Sequence, residues 1–370
     1  MKYYIVAGEA SGDLHGSNLI KEIKNLDTEA QVRCWGGDLM EKAGGTVVKH
    51  YKELAFMGFI EVIKNLPTIL KNLKTCKEDI QKFHPDLLIL IDYPGFNLRI
   101  AQWAKEQGFK VIYYISPQVW AWKESRVNGI KKYVDKMLVI LPFEEDFYSK
   151  WDYKVSYVGH PLVQVVEDFK KQNHELHQYE KPVIALLPGS RKQEIKIKLP
   201  IMLQASLSFP DHQFVVAKAS SLPEKVYEDV MKDFPHVKSV QNETYQLLSA
   251  SVAALVTSGT ATLETALFGV PQVVCYKGSA ISYAIAKRLV KIRYISLVNL
   301  IMDKPVVKEL IQNEMNAENV VKELKKILHD EENKKRLRED YSSLETLLKP
   351  GGDASAKAAK ITVEFLRPTS

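Results

Sequence analysis

Leu87-Leu88-Ile89-Leu90-Ile91-Asp92-Tyr93-Pro94-Gly95-Phe96-Asn97 is the stretch whose reading decides the fold class. Its five leading residues form an unbroken apolar run, preceded by Pro85 and closed by Pro94-Gly95. That length and composition suit a strand buried on both faces of a parallel sheet. Asp92 then falls at the carboxyl edge of the strand, where open α/β sheets bind their ligands. A carboxylate there serves equally as a poised general base or as a cap for the next helix, and this stretch leaves both readings open.

Working outward, strand-like runs alternate with helical patterns along the chain, the signature of α/β architecture. Strands are predicted at Tyr3–Ala7, Leu87–Ile91, Val111–Ile115, Met137–Leu141 and Val155–Val158, then at Val183–Leu187, Phe214–Ala217, Ala253–Val256 and Gln272–Tyr276. Helical patterns fill the intervals, among them Ser17–Asn25, Glu61–Phe83, Ile195–Phe209, Ala261–Phe268 and Val306–Gln312. Residues 166–181 are polar and weakly apolar and read as a connector, after which the pattern restarts at Val183. The expected organisation is two Rossmann-like, doubly wound parallel-sheet domains, 1–165 and 182–345, facing across a cleft. Residues 346–370 hold a C-terminal helix that packs back on the first domain or on a partner chain.

The 370 residues are enough for two cores. Hydrophobic and charged fractions of 46% and 26% are those of a soluble globular protein. The net charge of +6 comes without a long Lys/Arg block, which argues against nucleic acid as a partner and fits phosphorylated substrates or an anionic membrane surface. Cys34, Cys76 and Cys275 are too widely spaced for a disulfide framework or a metal pattern. The opening run Tyr3–Ala7 is too short for a signal peptide core, and no apolar stretch reaches the roughly 18 residues of a membrane span. The expected location is cytoplasmic, at most peripheral to a membrane.

Three glycine loops follow predicted strands. Gly8-Glu9-Ala10-Ser11-Gly12-Asp13 offers close backbone approach and three hydrogen-bonding side chains, Glu9, Ser11 and Asp13; it also reads as a tight turn with an N-cap. It is neither G-x-G-x-x-G nor a P-loop. Pro188-Gly189-Ser190-Arg191 presents N–H groups and a guanidinium that can grip a phosphate. Ser258-Gly259-Thr260-Ala261-Thr262-Leu263-Glu264 enters a helix whose N-terminus favours an anion, with Glu264 within reach of ribose hydroxyls; a capping box on Glu264 is the structural alternative. Ser116-Pro117-Gln118-Val119-Trp120-Ala121-Trp122, with Lys123 and Arg126, reads as a sugar-binding or acyl-binding loop or as a hydrophobic latch. Phe56, Met57, Phe59, Ile63 and Leu66, interspersed with lysines, read as a membrane-contacting face or as a core helix.

Taken in order, these motifs resemble the lipid A disaccharide synthases, membrane-associated glycosyltransferases of lipopolysaccharide assembly. The resemblance runs from Gly8–Asp13 through Leu54–Phe59, Ile91–Asn97, Ser116–Trp122, Leu186–Arg191, Ser258–Glu264 and Ala286–Lys291 to Ser296–Leu300 and Val307–Leu310. It implies a two-domain glycosyltransferase B-type fold. It also implies transfer of 2,3-diacylglucosamine from its UDP derivative to 2,3-diacylglucosamine 1-phosphate (lipid X), with inversion and release of UDP. Asp92 matches the family's proposed base; where some members carry a second acid in that loop, this chain has Gly95. Glu9, Ser11 and Asp13 would line the acceptor side. Gly189, Ser190, Arg191, Ser258, Gly259 and Thr260 would hold the diphosphate, with Glu264 and Asn299 at the ribose or uracil. No cofactor is implied, and without an Asp-x-Asp triplet Arg191 and a helix dipole stand in for a metal. The partners would be the two lipid substrates and the inner leaflet of the cytoplasmic membrane, with a homodimer possible. The basic run Lys287–Arg293 would add attraction to anionic lipid. A soluble UDP-sugar epimerase or transferase of the same fold, and a non-enzymatic nucleotide-regulated membrane module, are the competing readings.

Overall fold

The computed structural model describes residues 1–54, 66–172, 178–279, 283, 292–349 and 352–367. The chain divides into two compact units, Met1–Pro161 with Pro350–Ser370, and Leu162–Lys349. The helix Pro161–Lys171 occupies the start of the stretch read as a connector, so the second unit begins earlier than the composition suggested.

The first unit is built on seven parallel strands: β1 (Lys2–Ala7), β2 (Gln31–Gly36), β3 (Thr46–His50), β4 (Leu87–Ile91), β5 (Val111–Tyr114), β6 (Lys136–Val139) and β7 (Ser156–Tyr157). Their order is β3-β2-β1-β4-β5-β6-β7. Every residue of β4 is fully buried, as expected of a strand covered on both faces. Burial of a Leu or Ile side chain contributes about 1.5–3 kcal/mol, so this run anchors the core. The chain leaves β1 for one side of the sheet and returns through β4 to the other. The carboxyl ends of β1 and β4, where Ala7 lies opposite Ile91, are therefore the point at which strand order reverses. A Rossmann-type sheet opens its ligand crevice there.

The second unit repeats the plan with β8 (Val183–Leu187), β9 (Gln213–Lys218), β10 (Lys238–Gln241), β11 (Ser251–Thr257), β12 (Gln272–Tyr276) and β13 (Lys308–Ile311). The order β10-β9-β8-β11-β12-β13, again all parallel, puts the reversal between β8 and β11, with Leu187 opposite Val256.

One predicted helix is wrong. Val306–Gln312 forms the edge strand β13, which pairs with β12 from Val273↔Lys308 to Tyr276↔Ile311. Its Val-Val-x-x-Leu spacing fits a helix as well as a strand. Partners distant in sequence decide it: Glu309 accepts the N–H groups of Ile295 and Ser296. The C-terminal helix Ala354–Leu366 packs on the helix Ala10–Leu26 of the first unit through Ala354, Ala358, Ala359 and Val363, small enough for close approach. Lys357 donates to the Tyr157 carbonyl (2.6 Å) and Arg367 to that of Leu26 (3.1 Å), tying down both ends.

Candidate functional site

At the first reversal point the backbone is strained. Asp92 and Tyr93 have φ of 45° and 48°, the left-handed region that bulky residues avoid, and the β-branched Ile115 at the end of β5 has φ of 66°. Such outliers gather at functional sites where surrounding structure over-determines them. Asn97, fully buried in the next helix, supplies that constraint. Its Nδ2 donates to the carbonyls of Asp92 (2.8 Å), Ile91 (3.1 Å) and Val6 (3.3 Å), clamping the ends of β1 and β4 together. The Tyr113 hydroxyl donates to the same Asp92 carbonyl. Pro94 opens the helix Pro94–Glu106, where its fixed φ suits the first turn.

The Tyr93 ring lies over Gly8. A Cβ on Gly8 would sit 2.4 Å from that ring, so the glycine is required for the β1 and β4 loops to close on each other. Burial, and then the neighbouring charge of Glu9, push the Asp92 carboxyl up to about 7. A carboxylate with that affinity can take a proton from a hydroxyl near neutral pH. Ser11 is exposed in the first turn of the helix that Glu9 precedes.

Asp13 does something else. It is 3% exposed and accepts the N–H groups of Gly37 (2.8 Å), Met40 (3.1 Å) and Leu39 (3.2 Å). Its carboxylate holds the start of the helix Asp38–Lys42 and braces the edge of the sheet. Trp120 is likewise a latch: buried, its ring edge-on to Phe143 (5.0 Å), its indole N–H donating to Glu144 (3.3 Å). Trp122 is the aromatic that reaches solvent, 45% exposed, with the Arg126 guanidinium over its face at 4.6 Å. Gln118 is exposed beside them. Glu144, unremarked in the sequence, is 1% exposed and also accepts the N–H of Leu141 (3.0 Å). Burial raises its carboxyl to about 7.

The second reversal point carries the opposite chemistry. Gly189 takes φ of +113° as the chain leaves β8, followed by Ser190 and the exposed Arg191 before the helix Lys192–Ser206. At the end of β11, Gly259 has φ of +149° with extended ψ, a conformation essentially confined to glycine. It starts the helix Thr260–Leu267, which no side chain among the described residues caps; the Thr262 N–H turns back to the Gly259 carbonyl (3.2 Å), which leaves those of Thr260 and Ala261 for an anion. Glu264 does not form the capping box open to it in the sequence; it accepts from the Tyr245 hydroxyl (2.8 Å), and burial raises its pKa. Thr257, 6% exposed, has a hydroxyl with no partner among the described residues. Ser258 donates to the Ile295 carbonyl (2.7 Å).

Asn299, expected at the ribose or uracil, has its amide engaged within the second unit. It is 1% exposed, and the amide donates to Val307 O (2.9 Å) and Glu309 (3.0 Å) and accepts from Val307 N (2.9 Å). A cavity of about 420 Å³ flanks β13 in this unit, lined by Asn299, Lys308, Lys326 and Arg336 among others. It does not include the Gly189 or Gly259 loops. Phe56, Met57, Phe59 and Ile63 lie outside the described residues, as do 287–291 of the basic run; of Leu66 only its place at the start of the helix Leu66–Phe83 is described.

The geometry is thus two Rossmann reversal points, one acidic and strained, one rich in N–H donors and arginine. A family model for Lipid-A-disaccharide synthetase matches residues 3–362. The chain belongs to the lipid-A-disaccharide synthase family. It is 40% identical to the lipid-A-disaccharide synthase of Syntrophus aciditrophicus (strain SB), over 98% of this chain and 97% of that one. Its architecture is that of the glycosyltransferase B type. It superposes on the UDP-GlcNAc 2-epimerase of Neisseria meningitidis bound to UDP-GlcNAc with a TM-score of 0.67, at 15% identity over 99% of each chain. With a calicheamicin glycosyltransferase the TM-score is 0.63, at 16% identity over 100% of this chain and 98% of that one. Those two likenesses show the fold alone. Family membership makes the protein a glycosyltransferase acting on lipid A precursors, and sets aside both the soluble epimerase and the non-enzymatic module. Among the described residues no helix is long and apolar enough to cross a membrane.

Proposed function

We propose that this glycosyltransferase joins UDP-2,3-diacylglucosamine to 2,3-diacylglucosamine 1-phosphate by a single in-line displacement with Asp92 as general base. The observation that carries the reading is Asp92 itself: at the first reversal point, in a strained backbone held by Asn97, with burial bringing its pKa to about 7. Its carboxylate takes the proton of the acceptor 6-hydroxyl as that oxygen attacks the anomeric carbon. The bond to the diphosphate breaks, its electron pair leaves on UDP, and the configuration inverts to a β-1,6 linkage. Glu9 keeps Asp92 basic by like-charge repulsion. Arg191, the N–H groups at the start of Thr260–Leu267 and the hydroxyl of Thr257 stabilise the departing diphosphate. Glu264 has a second carboxylate oxygen for a ribose hydroxyl. On the acceptor side, the Trp122 face and Arg126 suit a sugar phosphate, whereas the buried Trp120 serves the latch.

Both substrates are acylated, which favours a cytoplasmic enzyme resting on the inner leaflet. Leu70, 55% exposed in the first turns of Leu66–Phe83 with Lys71 and Lys74 exposed near it, is consistent with an interfacial surface. The test is to supply the pure protein with both lipid substrates in detergent and follow UDP and disaccharide. Disaccharide formation is expected; UDP release without disaccharide would refute the acceptor, and neither product would refute the reaction.

A further inference from the structure

Of the two loops at the second reversal point, the one after β8 already holds an anion on its N–H groups. Glu194, one turn into the helix Lys192–Ser206, accepts from Ser190 N (3.2 Å) and Arg191 N (3.3 Å) through the same oxygen, Oε2. Its other oxygen lies 3.6 Å from the Lys198 ammonium. Lys198 is 2% exposed, and this is its one ion pair among the described residues. A buried ammonium is costly without a counter-charge, and burial lowers its pKa. Gly189 belongs to the same arrangement: a Cβ there would fall 2.3 Å from Glu194 Oε2. The glycine is needed for the carboxylate to dock, whatever a ligand demands.

We propose that Glu194 and Lys198 are a resident ion pair that stands in for the donor diphosphate and sets how tightly it binds. The incoming diphosphate takes the N–H groups of Ser190 and Arg191. Glu194 swings off them and closes on Lys198, which keeps the buried cation neutralised while the loop carries the ligand's charge. When UDP leaves, the carboxylate returns, so product release is assisted by an anion already tethered at the site. This rests on the donor-site reading above. Against it stands a purely structural role for Glu194 as the cap of its helix, and the two differ in sign. A cap that is lost weakens the fold and leaves UDP binding equal or poorer, whereas a competitor that is lost makes UDP bind more tightly.

The experiment is calorimetric titration of the full-length protein with UDP and with uridine, in the wild type and in Glu194→Gln, Lys198→Met and Arg191→Ala. Expected are UDP affinity about fivefold tighter in Glu194→Gln, weaker UDP binding in Lys198→Met, and uridine affinity unchanged in both. If Glu194→Gln unfolds, Glu194→Asp, which keeps the charge but withdraws it from the N–H groups, is expected to tighten UDP in the same way. Unchanged or weaker UDP binding in the folded Glu194 variant, with Arg191→Ala still impaired, overturns the inference and leaves the donor site standing. UDP binding that is indifferent to Arg191→Ala overturns the donor site, and this inference with it.

Discussion

The two reversal points share a topology and differ in charge. Between β1 and β4 the chain gathers Glu9 and Asp92, and burial with like-charge repulsion raises a carboxyl to about 7. Between β8 and β11 it gathers Arg191, open N–H groups and glycines at φ of +113° and +149°. The sheet order fixes where a ligand can sit in each unit; the few residues that leave the strands decide what kind. An edge with a basic carboxylate suits a hydroxyl that must lose a proton, and one with arginine and N–H donors suits a diphosphate that gains charge. The contrast accounts for one fold being used twice in one chain.

The strongest way to break the contrast is to exchange losses between the edges. Asp92→Asn is expected to lower turnover by about three orders of magnitude while UDP affinity stays unchanged. Arg191→Ala is expected to weaken UDP binding about ten- to a hundredfold. Turnover with paired substrates and calorimetry with UDP read the two; an Asp92→Asn protein that binds UDP as poorly as Arg191→Ala would dissolve the division.

A subtler test uses pH. If Asp92 is the base, kcat/KM rises as pH approaches about 7 and levels off above it. Burial is the larger cause and Glu9 the second, so Glu9→Gln should move the limb only part of the way toward acid. Stability runs the other way. The folded protein holds the Asp92 proton more tightly than the unfolded chain, whose value is near 3.8. The cost of ionising it is therefore absent below that value, grows as pH rises, and is complete above about 7. Asp92→Asn should stabilise the fold at alkaline pH relative to acid pH by up to about 4 kcal/mol, read by denaturant melts.

The smallest effect sharpens the link between backbone and chemistry. Gly8→Ala forces the Tyr93 ring off the β1 loop. Overpacking of this kind costs about 1–3 kcal/mol, and turnover should fall a few-fold with UDP binding untouched. Normal turnover would mean that Asp92 does not depend on that contact.

Where the sequence carried apolar runs, the strands were legible: Leu87–Ile91, Val183–Leu187 and Gln272–Tyr276 have their observed bounds. β2, β3, β10 and β13 escaped because they lack such runs; β10, Lys-Ser-Val-Gln, is mostly exposed and takes its form from pairing with β9. At the site, position along the chain was readable and partnership was not. Asp92 could be found because a strand ends beside it. Asp13 looks as available as Glu9 until the fold brings Gly37 and Met40 to it, and Asn299 until Val307 and Glu309 take its amide. Trp120 and Trp122 are two residues apart, and only a short helical turn, Val119–Trp122, sends one inward and the other to solvent. Glu194 had a faint signal, an acid three positions after the residue that caps its helix.

The return of Ala354–Leu366 to the helix Ala10–Leu26 makes the second unit an insertion within the first. On the ribosome, the amino-terminal half emerges early yet waits for the last residues before Leu19, Ile20 and their neighbours gain their full cover, while Leu162–Lys349 has all of its own sequence in hand sooner. A nascent chain stalled after the second unit would therefore carry a finished carboxyl-proximal body and an unfinished first one. Any truncation that trims the final helix should show itself first as aggregation of the unit that was made earliest.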